Sequence, residues 1–233
     1  MKKLIFLLFP VFSYGQISFT HIASGFGSSG IGSVGSTTYT AGKLYIFFAG
    51  TTNAGGTPAT VSLSGGATVW TQIANVTSDD GTMRLQAFRY APASNETAVV
   101  SISYTGTQDG GYIQLCEVSG AVVSGTNGSD GIIQVVTDAI DTNPNPTITL
   151  ATLGARGGVI AGFINNANPF GGTAESGWVE QHENGYSTPT TGGYYMTRIN
   201  TGDNTPTVTA ASSNWAGVAI EIRASGRRAV VIN

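Results

Sequence analysis

The chain has 233 residues, of which 33 are glycine and only 10% are charged, with a formal charge of −3. A length of this order fits one β-sandwich. So few charges argue against electrostatic capture as the main task. A surface made of Ser, Thr, Asn, Gln and glycine backbone suits hydrogen-bonded recognition instead.

Lys2 and Lys3, the apolar run Leu4 to Phe12 and the small-x-small exit Ser13-Tyr14-Gly15 form the pattern of a secretory signal. The expected organisation is therefore a signal peptide or N-terminal anchor over 1–15, a single β-sandwich over 16–226 and a tail over 227–233. The apolar run is too short to span a bilayer, so no membrane span is expected. Without Lys2 and Lys3 the formal charge moves from −3 to −5. The only basic pair near the end, Arg227-Arg228, reads as solvated, and nucleic acid is not an expected partner. Cys116 is the single cysteine, which excludes an internal disulfide.

Ile17 to Ala23 alternates as a first strand. Gly25 to Gly35 reads as loop. Its Gly25-x-Gly27-x-x-Gly30 matches a dinucleotide fingerprint in letters only, because the β-branched run Thr37 to Thr40 follows where a helix would have to start. Short β-rich runs then alternate with turns at Asn53 to Pro58, Thr77 to Gly81, Ala91 to Asn95 and Thr107 to Gly111. Gly120 to Asp130 leads to a second series, in which Asn143-Pro144-Asn145-Pro146 reads as a loop or edge. Asn166 to Gly177 and Asn184 to Gly192 are its longest polar loops. No stretch carries the apolar spacing of an amphipathic helix.

The second series repeats the first. Gly42 to Gly50 returns as Gly157 to Gly162 with Phe163 and Ile164, Trp70 as Trp178 at an offset of 108, and Glu117 as Glu221 at an offset of 104. Unequal loops account for the difference between offsets, and the chain is read as two similar halves.

Trp70-Thr71, Arg89-Tyr90-Ala91, Glu117 to Gly120 and Ser213 to Ile222 carry a resemblance over about residues 30–224. The chain resembles a group of jelly-roll domains found in bacteriophage structural proteins and secreted bacterial surface proteins. The resemblance implies an all-β jelly-roll β-sandwich of two facing antiparallel sheets with no catalytic role.

His21 and His182 are the only histidines and form no metal-ligand spacing, so neither a metal nor another cofactor is expected. Asp79-Asp80-Gly81 and Asp109-Gly110-Gly111 read as turn geometry rather than calcium ligands. A polysaccharide-degrading enzyme would need two facing carboxylates. Glu117 and Glu221 read as structural. Glu180 and Glu183, three apart on a strand, are expected on opposite faces. Trp70, Trp178 and Trp215 read as core.

The expected ligand-binding residues are Asn184, Tyr186, Thr188, Tyr194 and Tyr195 on one loop, with Asn166 and Phe170 beside it. There aromatic faces meet amides and hydroxyls. Two readings stay open. One is a secreted, extracellular adhesion or recognition module for a glycan or protein surface. The other is a virion component such as a capsid decoration, fibre or spike protein, meeting other virion subunits or its own copies.

Overall fold

The computed structural model describes residues 16–28, 31–67, 69–140, 145–154, 156–167, 170–187, 190–199, 202–210 and 214–226. The expected signal segment, Pro144, Thr188 and the Arg227-Arg228 pair lie outside them.

The protein is an all-β sandwich of facing antiparallel sheets, built from two similar halves. In the first half, β1 (Ser18–Gly27), β8 (Gly110–Ser119), β3 (Leu44–Thr52), β6 (Met83–Tyr90) and β5 (Thr71–Thr77) form a five-stranded sheet in the order β1-β8-β3-β6-β5. Over one face of it lies a smaller sheet of β2 (Ser33–Tyr39), β7 (Glu96–Thr105) and β4 (Thr60–Ser64), in the order β2-β7-β4. Apart from β5, which joins the first sheet, this is the strand order of a jelly roll.

The second half repeats the plan. Its large sheet runs β9 (Ile132–Ile140), β15 (Trp215–Arg223), β10 (Gly157–Asn165), β13 (Thr190–Ile199) and β12 (Val179–Ser187). The small sheet is reduced to β11 (Thr173–Ala174) and β14 (Val208–Thr209). Residues 146–150 run beside 204–208 through Ile148 N–H to Pro206 O and Leu150 N–H to Asn204 O, taking the place of β2.

Register confirms the repeat. Glu117 lies opposite Tyr45 and Glu221 opposite Val159, while Ile46 faces Arg89 and Ile160 faces Thr197. Both edge strands carry a bulge at the same point, between Gln72 and Ala74 in β5 and between Glu180 and His182 in β12.

The halves stack through their large sheets, so the layers run three, five, five and two strands. β1 lies against β12 and β9 against β5, the arrangement of an approximate two-fold axis passing between β3 and β10. Strand composition follows from this layering. β3 and β10 are covered on both faces and buried at every residue, hence their unbroken apolar runs. The outer strand β7 alternates buried and exposed.

Three cores result. One fills the first half around Tyr45, Phe47, Trp70 and Tyr90, and one the second half around Phe163, Phe170, Tyr194 and Trp215. The third lies between the halves around Phe48, Tyr112, Ile164 and Tyr195. At the axis, a large side chain in one half meets a glycine in the other: Phe48 lies over Gly162, and Tyr112 over Gly193. A Cβ on Gly162 would come within 2.7 Å of Phe48, and one on Gly193 within 2.4 Å of Tyr112.

Candidate functional site

The expected binding loop is mostly strand. β12 and β13 run through Asn184 to Tyr195, and the register Asn184–Gly193, Tyr186–Thr191 makes a hairpin of it. Tyr194 and Tyr195 are fully buried, one in the second-half core and the other between the halves. Phe170 is fully buried against Tyr194, with ring centroids 5.2 Å apart. Asn184 is buried too, its amide donating to Gly25 O at 3.1 Å. Of the residues expected to bind, Asn166 alone has a described, exposed side chain. Tyr186 pairs with Thr191 one residue before the end of β12, and Thr188 lies outside the described residues. Aromatics beside glycines are ambiguous in sequence, and here the glycines are close-packing contacts rather than loop hinges.

Glu180 and Glu183 also depart from expectation. The bulge at Gln181 adds one residue to β12, so Glu180 pairs with Met196 and Glu183 with Tyr194, both facing the second-half core. They therefore share a face. Burial and the Glu183 charge push the Glu180 carboxyl above its ordinary value. Tyr194 O–H donates to Glu180 at 3.4 Å, and Glu183 accepts from Gly172 N–H at 3.2 Å.

Glu117 and Glu221 are clamps at equivalent positions. Glu117 accepts from Lys43 Nζ at 3.0 Å, Tyr45 O–H at 3.0 Å and Ser119 O–H at 3.2 Å. Glu221, with no exposed surface, accepts from Gln134 Nε2 and Gly154 N–H, both at 2.6 Å. Each ties the segment entering the central strand of its half. Because Cys116 and Ile220 face the space between the halves, the next residues point away from it. The two carboxylates thus stand on opposite sides of the paired sheets and cannot share a substrate.

The tryptophans are core, as expected: Trp70 stacks on Tyr90 at 4.8 Å, and Trp178 sits under the Arg198 guanidinium at 5.8 Å. Asp80 is a turn residue, accepting from Ser78 O–H at 2.5 Å, Thr82 N–H at 3.1 Å and Asn214 Nδ2 at 2.8 Å. Gly81 at φ 75 completes that turn. Asp109 accepts from Ala54 N–H at 2.8 Å. No group of three or more metal-ligating side chains occurs among the described residues.

The surface that the tertiary structure assembles is the outer face of β2-β7-β4. Val34, Val61, Val100 and Ile102 point inward, which turns the intervening residues to solvent. Ser33, Ser101 and Ser64 line up across the three strands, Ser62 lies opposite Ser103, and Thr38 opposite Thr97. All of these serines and threonines are exposed, and none of these rows includes a charged residue. Neighbouring hydroxyls stand about 5 Å apart across strands and about 7 Å apart along them. The sequence signal was present as Ser62-x-Ser64 and Ser101-x-Ser103-x-Thr105, alternation that marks the open face of a half-buried strand.

Compared with known proteins, the sequence matches no family model and no curated relative.

Proposed function

We propose that this protein is a non-catalytic recognition module that holds a polysaccharide surface by the Ser/Thr face of β2-β7-β4. The observation that carries the reading is the row Ser33–Ser101–Ser64, flanked by Ser62–Ser103. Each hydroxyl is both donor and acceptor and loses little side-chain freedom on binding. An uncharged array of such groups, with the exposed Val99 among them on β7, matches the hydroxyls and apolar ring faces of a glycan chain or a packed polysaccharide better than it matches an ionic partner. A sheet whose other face is tied into a core holds that array rigid.

The test is co-sedimentation with insoluble cellulose, chitin and peptidoglycan at low and high salt. Retention on at least one is expected, with little salt dependence, since ion pairs contribute little. Ser101→Asp with Ser103→Asp should abolish retention while leaving the folded state unchanged by circular dichroism. Retention that survives both substitutions sinks the reading. Retention on none of the three, together with self-association through this face, would favour the virion-subunit reading instead.

A further inference from the structure

The approximate two-fold axis makes the two sides of the space between the halves comparable residue by residue, and they differ in chemistry. On the side where β9 and β15 meet β5 and β6, the facing residues are Val135, Val218, Ile220, Ala74, Val76 and Ala87. On the equivalent side, where β1 and β8 meet β12 and β13, the same positions hold His21, Gln114, Cys116, His182, Asn184 and Tyr195. Alanine and β-branched residues satisfy the packing on one side, so the polar set on the other is not a requirement of the fold.

Both histidines of the chain are in that set, one from each half. Their rings stack with centroids 4.3 Å apart and planes 16° apart. His21 Nδ1 is 2.8 Å from the Tyr195 hydroxyl, which in turn reaches Cys116. Gln114 Nε2 donates across the junction to His182 O at 3.3 Å and Asn184 Oδ1 at 3.4 Å. Two neutral imidazoles stack favourably, whereas two imidazoliums at this separation repel.

We propose that this side of the junction is an acid-released latch: protonation of the stacked His21–His182 pair drives β1 away from β12, while the apolar side keeps the halves joined. Burial first, and then the His182 charge, lower the His21 pKa to about 4, and burial lowers that of His182. The other titratable groups facing the pair are Tyr195 from β13 and Cys116 from β8. Burial raises both, the thiol to about 12, and neither charges in acid. Glu183 on β12 favours the His182 imidazolium and only partly offsets burial. β2 and β11 bring no charged residue. Folded pKa values below the ordinary 6.5 mean that the closed junction binds fewer protons than the open one. Closure is therefore complete above 6.5 and is lost as pH falls toward 4.

The test is amide hydrogen exchange on the full chain at pH 7 and at about pH 4.5, with β9 and β5 as internal reference for β1 and β12. On acidification the protection of β1 relative to β9 should fall by about tenfold or more. His21→Val with His182→Ala installs the residues of the apolar side and should remove that fall. An NMR titration of the two imidazoles in the unsubstituted protein needs no variant and should give both midpoints below 6.5. A relative protection that is the same at both pH values, a fall that persists in the double variant, or a midpoint at or above 6.5 would overturn the proposal.

Discussion

Glu117 and Glu221 occupy the same register position on equivalent strands, and the two central sheets lie between them. Each accepts from the segment that enters its central strand, at Lys43 and at Gly154. The internal repeat has thus preserved a carboxylate for tying down a chain segment. Loss of the buried partner should be the more costly. Glu221→Ala removes the fully buried acceptor of Gln134 Nε2 and Gly154 N–H, leaving the Gln134 amide only its longer bond to Ala151 O, and should lower unfolding free energy by about 2–3 kcal/mol. Urea denaturation measures this, and Glu117→Ala, at a partly exposed site, should cost less.

Glu117 should also give stability a pH dependence. Burial raises its pKa, but hydrogen bonds from Lys43 and Tyr45, the Lys43 charge and the Ser119 hydroxyl outweigh burial and leave the carboxyl below its ordinary 4.5. The folded state therefore holds the proton less tightly than the unfolded chain. The contribution is present above 4.5 and is lost as pH falls through the folded value. The stability difference between the protein and Glu117→Gln should be largest near neutral pH and shrink below 4.5. A difference that stays constant from pH 7 to pH 3 would count against the Lys43–Tyr45–Glu117 arrangement.

The seam between the halves should be sensitive to volume at Gly162. A Cβ there would come within 2.7 Å of the Phe48 ring, and Gly162→Val should destabilise the chain by about 1–3 kcal/mol through overpacking. Phe48→Ala, destabilising alone, should recover part of that loss in the double variant. A double-mutant cycle by thermal unfolding reads the coupling, and strictly additive effects would mean that the two residues do not meet.

Asn127 should be costly to replace. It sits at φ 52, its Nδ2 donates to Val69 O at 2.8 Å, Thr71 Oγ1 at 3.0 Å and Arg89 O at 3.1 Å, and its Oδ1 accepts from Ala91 N–H at 2.7 Å. Asn127→Ala removes these bonds and puts a less suitable residue in a left-handed conformation, so a loss of about 2–4 kcal/mol is expected. Asn127→Gly should keep the backbone geometry and lose only the bonds. Equal losses for the two variants would show that the conformation contributes nothing.

The sequence by itself determined the all-β class, the doubled plan and the pairing of Trp70 with Trp178 and Glu117 with Glu221. These depend on alternation, turn residues and order, all local or periodic properties of the chain. The layering was decided by tertiary structure. A strand pattern reports how many faces are hidden but not what hides them, and Leu44 to Thr52 reads the same against any cover. Tyr194 and Tyr195 went into cores because neighbouring glycines admit close packing, which sequence cannot distinguish from a flexible loop. One extra residue at Gln181 put Glu180 and Glu183 on a common face, since a bulge shifts the period without leaving a residue type to announce it. Likewise, Ser33, Ser64 and Ser101 were visible as separate alternating serines. Only pairing between strands distant in the chain set them in one row, and only the stacking of the halves brought His21 onto His182.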